Sequence, residues 1–526
     1  MKMLRKYYLL PILLLLGLWS GRFIYTASFE IDGVRTYSLF DDAMISMAYA
    51  KNVTQGYGLN WAKFGEPVEG YSNPLWTFIM VPFQLLPVEW AKVSLYFSIF
   101  CMLLLMANVL AFDRLLRRSF KIESKWLLFI SAFTVGFLYP LSYWTLEGME
   151  TGLQALLFVL GLNLFSDFDA EPKVKSLKRL GIVLAAALLL RMDMLFFVAL
   201  MVVPLLPWLW RNKKEAIKFF LIVGLPMALY MVFRLLYFKD IYPNTYYLKL
   251  VDFPLEIRLE RGWYFFKIFA KPLWMFWFLI PIAMLALRKN KTAWLALGLI
   301  LIYFSYSIYI GGDVWERSTV GANRWISTVL PMVVLLIAAG GYAWAKRLGG
   351  IKQVVLGQVV PSLICLLYLI LVNGILFMKG SPVKMDQFLL KTPPSGTEYH
   401  FWNTLSTDDL NDYMGKKNRV AVTQAGGYGY FGNFELVDIL GYNDKVIGHG
   451  PNYYDLYKVP AHLNLPGHQK LNYQRSLIDL APDFVAHHWS THSPSTEATF
   501  DSLVIALKLE RQNTGGWLRE GFVRKD

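Results

Sequence analysis

The sequence predicts a polytopic α-helical membrane protein with a C-terminal soluble α/β domain. Of its 526 residues, 56% are hydrophobic and 17% are charged, whereas ordinary soluble domains carry roughly 25% charged residues. The mean hydropathy is +0.39, and the apolar residues fall in runs long enough to cross a bilayer. After Met378 the chain changes abruptly to a polar segment. We therefore predict a transmembrane domain over residues 1–380 and a soluble domain over residues 381–526.

The apolar runs predict about eleven transmembrane helices, since a helix needs about 20 residues to cross the hydrocarbon. A further apolar segment, Pro74 to Pro87, is only fourteen residues long. That length favours an interfacial or re-entrant helix over a full span. The predicted spans lie near residues 7–24, 91–112, 126–143, 153–166, 180–191, 195–210, 219–238, 263–286, 292–310, 325–345 and 354–378.

The basic residues predict the orientation of these helices. The net charge is +14, and on a soluble domain such an excess would point to nucleic acid. Here the cations lie in short clusters between apolar runs, as in the cytoplasmic loops of membrane proteins. Because Lys2, Arg5 and Lys6 precede a first span without a clear cleavage site, the amino terminus is predicted to be cytoplasmic. The other clusters then share that side: Arg114/Arg117/Arg118/Lys121, Lys173/Lys175/Lys178/Arg179, Arg211/Lys213/Lys214/Lys218, Arg288/Lys289/Lys291 and Lys346/Arg347/Lys352.

The polar C-terminal segment is predicted to lie outside the cytoplasm, because an odd number of spans puts it opposite the basic clusters. Strand-like runs at Arg419 to Thr423 and Asp483 to Ala486, with helical patterns between them, predict a small α/β domain. All seven histidines lie in this segment, at spacings that match no common zinc motif. No metal site is predicted there, and the need for a divalent metal is left open. Cys101 and Cys365 fall in predicted spans and imply no disulfide framework.

The loop after the first span carries the strongest chemical signal. Asp41 and Asp42 open a polar, aromatic and glycine-punctuated stretch that ends near Trp76. An ionised carboxylate beside the hydrocarbon costs free energy unless it is paired, hydrated or part of a functional site. Acidic residues in this position are therefore functional candidates. Two adjacent carboxylates repel each other when both are ionised, so they need a nearby cation, a metal or a raised pKa in one of them. The alternative is that one of them caps the helix that follows.

Few basic residues are predicted on the outer side, which limits the candidates for binding an anion. They are Lys63, Arg191, Lys249, Arg317 and Arg324. For Arg191 the alternative is a salt bridge with Asp193 at the membrane boundary, and for Lys249 it is snorkelling. The loop Gly311 to Arg324 is equally compatible with structural salt bridging through Asp313. Glu147 and Glu150 resemble a helix start as much as a site.

A carboxylate, cations and aromatic or amide side chains on one face are what transfer of a lipid-linked sugar to a hydroxyl acceptor requires. The stretch DDAMISMAYAKNVTQGYGLNW, followed by GEPVEGYSNPLW, resembles the first loop of the mycobacterial terminal arabinofuranosyltransferase family and its relatives in other bacteria. YPNTYYLKL resembles a later loop of that family, and GGD with the following arginine resembles its penultimate outer loop. In the soluble segment TQAGGYGYFGN, VDILGYND, PGHQK and PDFV also match, so the resemblance covers nearly the whole chain.

The resemblance implies a glycosyltransferase of the multi-span C fold in the bacterial inner membrane, acting on its periplasmic face. Such enzymes use polyprenyl-phosphate sugars as donors, and an aspartate of the first outer loop acts as base for an inverting displacement. That role falls on Asp41 or Asp42. The turn Arg191-Met192-Asp193 departs from the family, in which a proline follows the arginine. The implied partners are a lipid-linked sugar donor, a glycan or glycolipid acceptor and the bilayer, without nucleic acid or a certain cofactor.

The remaining site residues follow from the same comparison of loops. Arabinofuranose is one candidate for the sugar, which the resemblance leaves open. The donor phosphate is expected to contact Lys249, Arg317, Arg324 and Arg191. The substrates are expected to be positioned by Glu69, Tyr71, Asn73, Asn244, Tyr246, Tyr247 and Asp313.

Two rival functions remain at this stage. A lipid-carrier transporter would also be basic inside and aromatic outside, but it should show charged residues in mid-span or paired broken helices. A non-catalytic assembly factor would tolerate loss of the aspartate pair. A separate hypothesis concerns the stretch Gly426 to Asn433, whose tyrosines and phenylalanine offer flat surfaces for an acceptor glycan. The alternative for that stretch is an ordinary strand-to-helix loop.

Overall fold

A computed structural model describes most of the chain, and it is predominantly helical. Within this part, packing groups the chain into two compact units, each assembled from three separate segments. The bundle unit comprises residues 1–26, 98–230 and 263–395, and the α/β unit comprises residues 27–97, 231–262 and 396–526. The described residues are 7–63, 65–317, 322–347, 355–374, 385–414, 418–453, 455–487, 500, 502, 504, 509–512 and 521–524.

The helices of the first half include the long apolar segments expected from the sequence. In chain order they are α1 Leu10–Thr26, α2 Asp41–Thr54, α3 Pro74–Gln84, α4 Trp90–Ser119, α5 Lys125–Gly136, α6 Tyr139–Leu146, α7 Thr151–Ala170, α8 Val174–Leu190, α9 Leu195–Val202, α10 Leu206–Arg211, α11 Lys213–Tyr237 and α12 Asn244–Leu250. Short 3₁₀ turns at Met192–Met194 and Val203–Leu205 connect α8, α9 and α10.

The second half continues with apolar helices and then with shorter ones. They are α13 Leu255–Ala270, α14 Trp274–Leu287, α15 Lys291–Tyr309, α16 Arg324–Lys346, α17 Val360–Val372, α18 Met385–Phe388, α19 Thr397–Tyr413, α20 Ala425–Phe431 and α21 Lys445–His449. Further 3₁₀ turns are Lys271–Leu273, Val314–Arg317, Leu456–Lys458 and Ala461–Leu463, and π-helical segments are Val355–Val359 and Gln474–Asp479.

Eight helical segments among the described residues are long and apolar enough to cross a membrane. The pair α5 and α6, bent by 47°, could form one more. Helices α1 and α8 have 17 residues each, about 26 Å, which is slightly short of the roughly 30 Å hydrocarbon. Each of the predicted spans overlaps a helix, but the number of crossings stays a prediction. The eight segments are Trp90–Ser119, Thr151–Ala170, Met192–Arg211, Lys213–Tyr237, Leu255–Leu287, Lys291–Tyr309, Arg324–Lys346 and Val355–Val372.

The segment expected not to cross the membrane forms the short helix α3. It has 11 residues, about 16 Å of helix, which cannot span the hydrocarbon by itself. Pro74 occupies the first turn, where its missing N–H costs no intrahelical hydrogen bond. The apolar run from 74 to 87 is therefore too short as a helix for a full span, in line with the expectation from its length.

The α/β unit contains a mixed sheet of five strands in the order β4-β3-β5-β7-β6. Strand β3 pairs in parallel with β4 and β5, while β7 pairs antiparallel with β5 and β6. The strands are β3 Arg419–Val422, β4 Glu435–Asp438, β5 Phe484–Val485, β6 Leu509–Gln512 and β7 Gly521–Arg524, and a separate hairpin pairs β1 Phe29–Ile31 with β2 Val34–Thr36. Both strand-like runs of the sequence are confirmed, and with them the α/β character of the C-terminal segment.

The α/β unit combines the C-terminal segment with the first loop and with residues 231–262. The predicted division at residue 380 separates lipid-embedded from soluble residues, whereas packing groups residues by proximity. That division therefore stays a prediction. The core of the α/β unit includes Ala421, Val437, Ile439, Leu471, Tyr473 and Val485, all nearly inaccessible to solvent.

Close packing between α2 and α20 depends on glycine. A Cβ added at Gly426 would lie 2.5 Å from Oδ1 of Asp41 and closer still to its backbone carbonyl. A Cβ at Gly429 would overlap the indole nitrogen of Trp61. Real Cβ atoms essentially never approach other atoms this closely, so glycine is what allows the two backbones to meet.

The structure contradicts the hypothesis of a glycan platform at residues 426–433 for its two tyrosines. Tyr428 and Tyr430, two of its three candidate stacking surfaces, are both 0% exposed, whereas Phe431 is half-buried. Most of this stretch forms α20, whose residues from Ala425 to Tyr430 are buried. The glycines serve helix packing instead, and the tyrosine rings fill the interior of the unit.

The first prediction concerns orientation and uses the exposure of Tyr457, which is 64%. Cysteine at position 457 should react with a membrane-impermeant maleimide in intact spheroplasts, because the basic clusters alternate consistently only with an odd number of spans. The native Cys101 and Cys365 are buried, so background labelling should be low. A matched cysteine at exposed Glu171, beside a basic cluster, should react only after permeabilisation. The reverse pattern would mean that the segment 74–87 crosses or that another span is miscounted.

Candidate active site

Asp41 and Asp42 form the first turn of α2 in the α/β unit. The N-cap position belongs to Phe40, so the alternative that one of the aspartates caps the helix is wrong. Negative charge in a first helical turn is favoured by the helix dipole. Asp41 is only 8% exposed, whereas Asp42 is partly exposed. The two neighbours therefore differ in access to solvent, which the sequence did not distinguish.

The Asp41 carboxylate is held by backbone amides of α20. Gly427 donates its N–H to Oδ1 at 3.1 Å, and the amide of Gly426 provides a second hydrogen bond. Burial, followed by the charge of Asp42, raises the pKa of Asp41 to about 7, and Asp438 adds to the rise. The two amide hydrogen bonds oppose it because they favour the charged form. The result is a carboxyl group that titrates near neutral pH.

Glu69 forms a buried ion pair with Arg234, a residue that the sequence analysis did not single out. Nε of Arg234 donates to Oε2 at 2.6 Å and Nη2 donates to Oε1 at 3.0 Å. The side chains are 1% and 2% exposed. Arg234 lies near the end of an apolar helix, and a charge in such a segment is a signal that could have identified it.

The same two residues connect the first loop to the loop that contains α12. Arg234 also donates from Nη1 to the carbonyl oxygen of Ile241 at 3.0 Å. The backbone N–H of Asn244 donates to the carbonyl oxygen of Glu69 at 2.8 Å. Glu69 thus fixes the relative position of two candidate substrate loops through both its side chain and its backbone.

Tyr71 and Asn73 pack against α2. The ring of Tyr71 meets that of Tyr49 edge-on with centroids 4.9 Å apart, and it is 3% exposed. Asn73 accepts a hydrogen bond from Ser46 at 3.0 Å and is 5% exposed. Both side chains hold the first loop onto α2, and any direct contact with substrate stays a prediction.

Asn244 and its neighbours on α12 are fixed by the loop that follows β4. The side-chain amide of Asn244 donates to the carbonyl oxygens of Gly441, Tyr442 and Asp444 at 2.7, 3.1 and 3.1 Å. Asn244 is 3% exposed and anchors the start of the helix. This anchoring determines where the following tyrosines and Lys249 lie.

Each of the two tyrosines of α12 stacks on an aromatic ring that lies outside this helix. Tyr246 stacks on Tyr242 with a centroid distance of 4.4 Å, and Tyr247 stacks on His449 at 3.8 Å. The hydroxyl of Tyr247 donates to Asp240 at 2.7 Å. All of these rings are partly accessible, which is compatible with the predicted positioning role.

Lys249 and Asp42 both act electrostatically on His468, another residue that the sequence analysis did not assign to the site. Burial, followed by the positive charge of Lys249, lowers the pKa of His468 to about 4, while Asp42 opposes the shift. Arg261 lowers the pKa of His468 further. Lys249 also lies 5.8 Å from the ring centroid of Tyr442. The α/β unit therefore brings Lys249, Arg261 and Asp42 near His468, and the motif PGHQK was the available signal for His468.

The other predicted site residues lie in the bundle unit, where they form buried ion pairs. Arg191 pairs with Asp193 at 2.8 Å and with Glu150. Arg324 donates to both carboxylate oxygens of Asp313, at 2.8 and 3.2 Å. The salt-bridge alternatives for Arg191 and for the 311–324 loop are thus realised, and binding to a phosphate stays a prediction.

The two arginines of the bundle unit share an aromatic neighbour. The guanidinium carbons of Arg191 and Arg324 lie 5.7 and 5.5 Å from the ring centroid of Trp325, within cation–π range. Arg317 ends the 3₁₀ turn Val314–Arg317, and its side chain lies outside the described part of the chain. Among the described residues, no group of three or more His, Cys, Asp or Glu side chains could hold a metal ion.

Comparison with solved structures identifies the fold. ArnT from Cupriavidus metallidurans in the apo state matches with a TM-score of 0.54 and 12% identity over 98% of both chains. The same protein bound to undecaprenyl phosphate matches with a TM-score of 0.50 and 11% identity over 97% of both chains. No protein-family model matches the sequence, and no curated protein matches it significantly. The chain is therefore a multi-pass membrane protein with the C fold of glycosyltransferases, which confirms the predicted fold class.

The second prediction tests the buried pair of Glu69 and Arg234. Arg234→Gln should lower the stability of the purified protein by about 3–5 kcal/mol, because it leaves a buried carboxylate without its charge partner. The matched control is Arg35→Gln, which breaks the Arg35–Glu30 pair, 2.5 Å apart and partly exposed at 31% and 59%. That change should cost less than about 1 kcal/mol. Equal losses in unfolding measurements on the two variants would contradict a structural role for the buried pair.

Proposed function

We propose that this protein transfers a sugar from a polyprenyl-phosphate carrier to a cell-envelope glycan or glycolipid, with Asp41 as general base. The proposed location is the periplasmic face of the bacterial inner membrane. The observation that carries this proposal is the buried Asp41 carboxyl, whose pKa is raised to about 7 and which is held by two backbone amides. A general base works best when its pKa lies near the operating pH. A strongly perturbed carboxyl beside a second acid is also typical of functional sites.

The reaction that fits these groups is an inverting displacement. The Asp41 carboxylate takes the proton from the acceptor hydroxyl while that oxygen attacks the anomeric carbon of the donor. The bond from the anomeric carbon to the phosphate oxygen breaks on the opposite face, and the polyprenyl phosphate leaves with the bonding electrons. Lys249 is the proposed partner of the developing phosphate charge, since a fixed cation stabilises such a transition state.

The choice of donor is supported by the fold. ArnT, whose structure with undecaprenyl phosphate resembles this chain in fold, binds a phosphate carrier of the proposed class. The resemblance of the first loop to mycobacterial terminal arabinofuranosyltransferases makes arabinofuranose the first sugar to test. A glycan or glycolipid acceptor follows from the same resemblance.

The third prediction concerns the base itself. Asp41→Asn keeps the size of the side chain but removes its charge, so transfer should fall by about 10² to 10⁴ while donor binding is retained. Asp42→Asn should reduce transfer less. The matched control is Asp412→Asn, an exposed aspartate of the same unit, which should retain normal rates. The measurements are radiolabelled sugar transfer and equilibrium binding of the lipid-linked donor.

The outcomes of these variants separate the alternatives. An inactive Asp42→Asn protein beside an active Asp41→Asn protein would reverse the assignment within the pair. Normal transfer by both would remove this loop from the catalytic site and favour a non-catalytic assembly factor or a carrier transporter.

The fourth prediction concerns pH. Because the base acts in its deprotonated form, the kcat/KM of transfer should rise with pH and level off above about 7, the pKa of Asp41. Asp42 contributes to the raised pKa of Asp41, so Asp42→Asn should shift the rising limb to lower pH. A limb that stays in place or moves to higher pH in this variant would contradict the assignment of Asp41.

A further inference from the structure

We infer that the backbone amides of Gly426 and Gly427 position the Asp41 carboxylate, so that α20 completes the catalytic centre. The inference rests on the proposed role of Asp41 and adds a positioning element from the other end of the chain. Gly427 and Asp41 are 386 residues apart in sequence, yet both belong to the α/β unit. The polar C-terminal segment therefore contributes to the chemistry as well as to any recognition of the acceptor.

The first supporting observation is how closely α20 approaches Asp41. The Gly427 N–H reaches Oδ1 at 3.1 Å, and a Cβ at residue 426 would lie only 2.5 Å from the same oxygen. Any side chain at 426 would therefore displace either the carboxylate or the helix. Glycine at 426 is required for the hydrogen bond donated by its neighbour.

The second observation is that α20 is fixed independently of Asp41. The indole N–H of Trp61 donates to the carbonyl oxygen of Ala425 at 2.9 Å. Nζ of Lys51 donates to the carbonyl oxygen of Tyr430 at 2.6 Å. These contacts hold both ends of the short helix, so its first amides keep a constant direction toward the carboxylate.

The third observation is electrostatic. Hydrogen bonds from the two amides stabilise the charged carboxylate, and they oppose burial and the neighbouring acids. Loss of these donors would leave the opposing contributions in place and would favour the protonated carboxyl. The titratable groups that face Asp41 are Asp42 on α2, Tyr399 on α19, Tyr428 on α20 and Asp438 at the end of β4.

The test is Gly426→Ala, assayed for sugar transfer across a pH range with a polyprenyl-phosphate sugar as donor. We expect the rising limb of kcat/KM to move to higher pH, because the displaced carboxylate loses its amide donors. A rise of one pKa unit lowers the deprotonated fraction about ten-fold below the pKa, so transfer at pH 6 should fall by about that factor or more. Raising the pH should restore part of the loss.

The matched control is Gly432→Ala, just after the end of α20, which places a comparable overlap against the backbone carbonyl of Tyr428. It should lower thermal stability without moving the pH limb, and this separates packing from positioning. If Gly426→Ala does not fold, Gly427→Pro decides the question. Residue 427 lies in the first turn, whose N–H groups have no intrahelical partner. Proline there removes the donor to Asp41, while a Cβ at 427 makes only an ordinary 3.5 Å contact with Asn403.

Each outcome distinguishes this inference from the proposed function. Active Asp41→Asn protein in the same assay would overturn the function assigned to Asp41. An inactive Asp41→Asn protein, together with an unmoved pH limb in folded Gly426→Ala or Gly427→Pro protein, would overturn the inference and leave the base in place. An equal shift in Gly432→Ala protein would also overturn it, because packing alone would then explain the effect.

Discussion

The packing of α2 on α20 is the constraint on which the candidate site depends. Glycine at position 426 allows α20 to approach the backbone of α2 at Asp41, and this approach buries Asp41. Burial alone would keep the carboxyl protonated, whereas the amides of α20 favour its charged form. Because the two effects are opposed, the pKa of Asp41 is brought to about 7. One packing contact thus determines the position, the access and the acidity of the proposed base.

The same helix pair buries a cation at its other end. Lys51 is 4% exposed and lies 4.8 Å from the ring centroid of Trp90 and 5.2 Å from that of Tyr430. Burial, followed by the charge of Lys63, lowers its pKa to about 7. Its hydrogen bond to the carbonyl of Tyr430 compensates part of the desolvation, since a buried polar group is costly without a partner. Both ends of α2 therefore carry ionisable groups whose protonation depends on the contact with α20.

Several predicted site residues form buried ion pairs that have a structural role. Glu69 with Arg234 in the α/β unit, and Asp313 with Arg324 in the bundle unit, use both carboxylate oxygens. Such pairs gain little net stability over apolar packing, but breaking one leaves an uncompensated charge. They hold loops in one arrangement, as the proposed reaction between two bound substrates would require. Glu69 and Asp313, which the sequence suggested as substrate-positioning residues, thus orient the loops in which they lie.

The sequence by itself determined the membrane class, the strands near residues 419–423 and 483–486, and the candidate acids at positions 41 and 42. These depend on local properties, namely hydropathy, strand pattern and the cost of charge beside lipid. Only the tertiary structure decided that Arg234 pairs with Glu69 and that residues 425–430 are buried. It also decided that the charges of Lys249 and Asp42 act on the pKa of His468. It also distinguished Asp41 from Asp42, because burial and the amides of α20 act on Asp41. Such contacts join residues more than 150 positions apart, as with Glu69 and Arg234, which are 165 apart, and no local pattern in the chain encodes which of them meet.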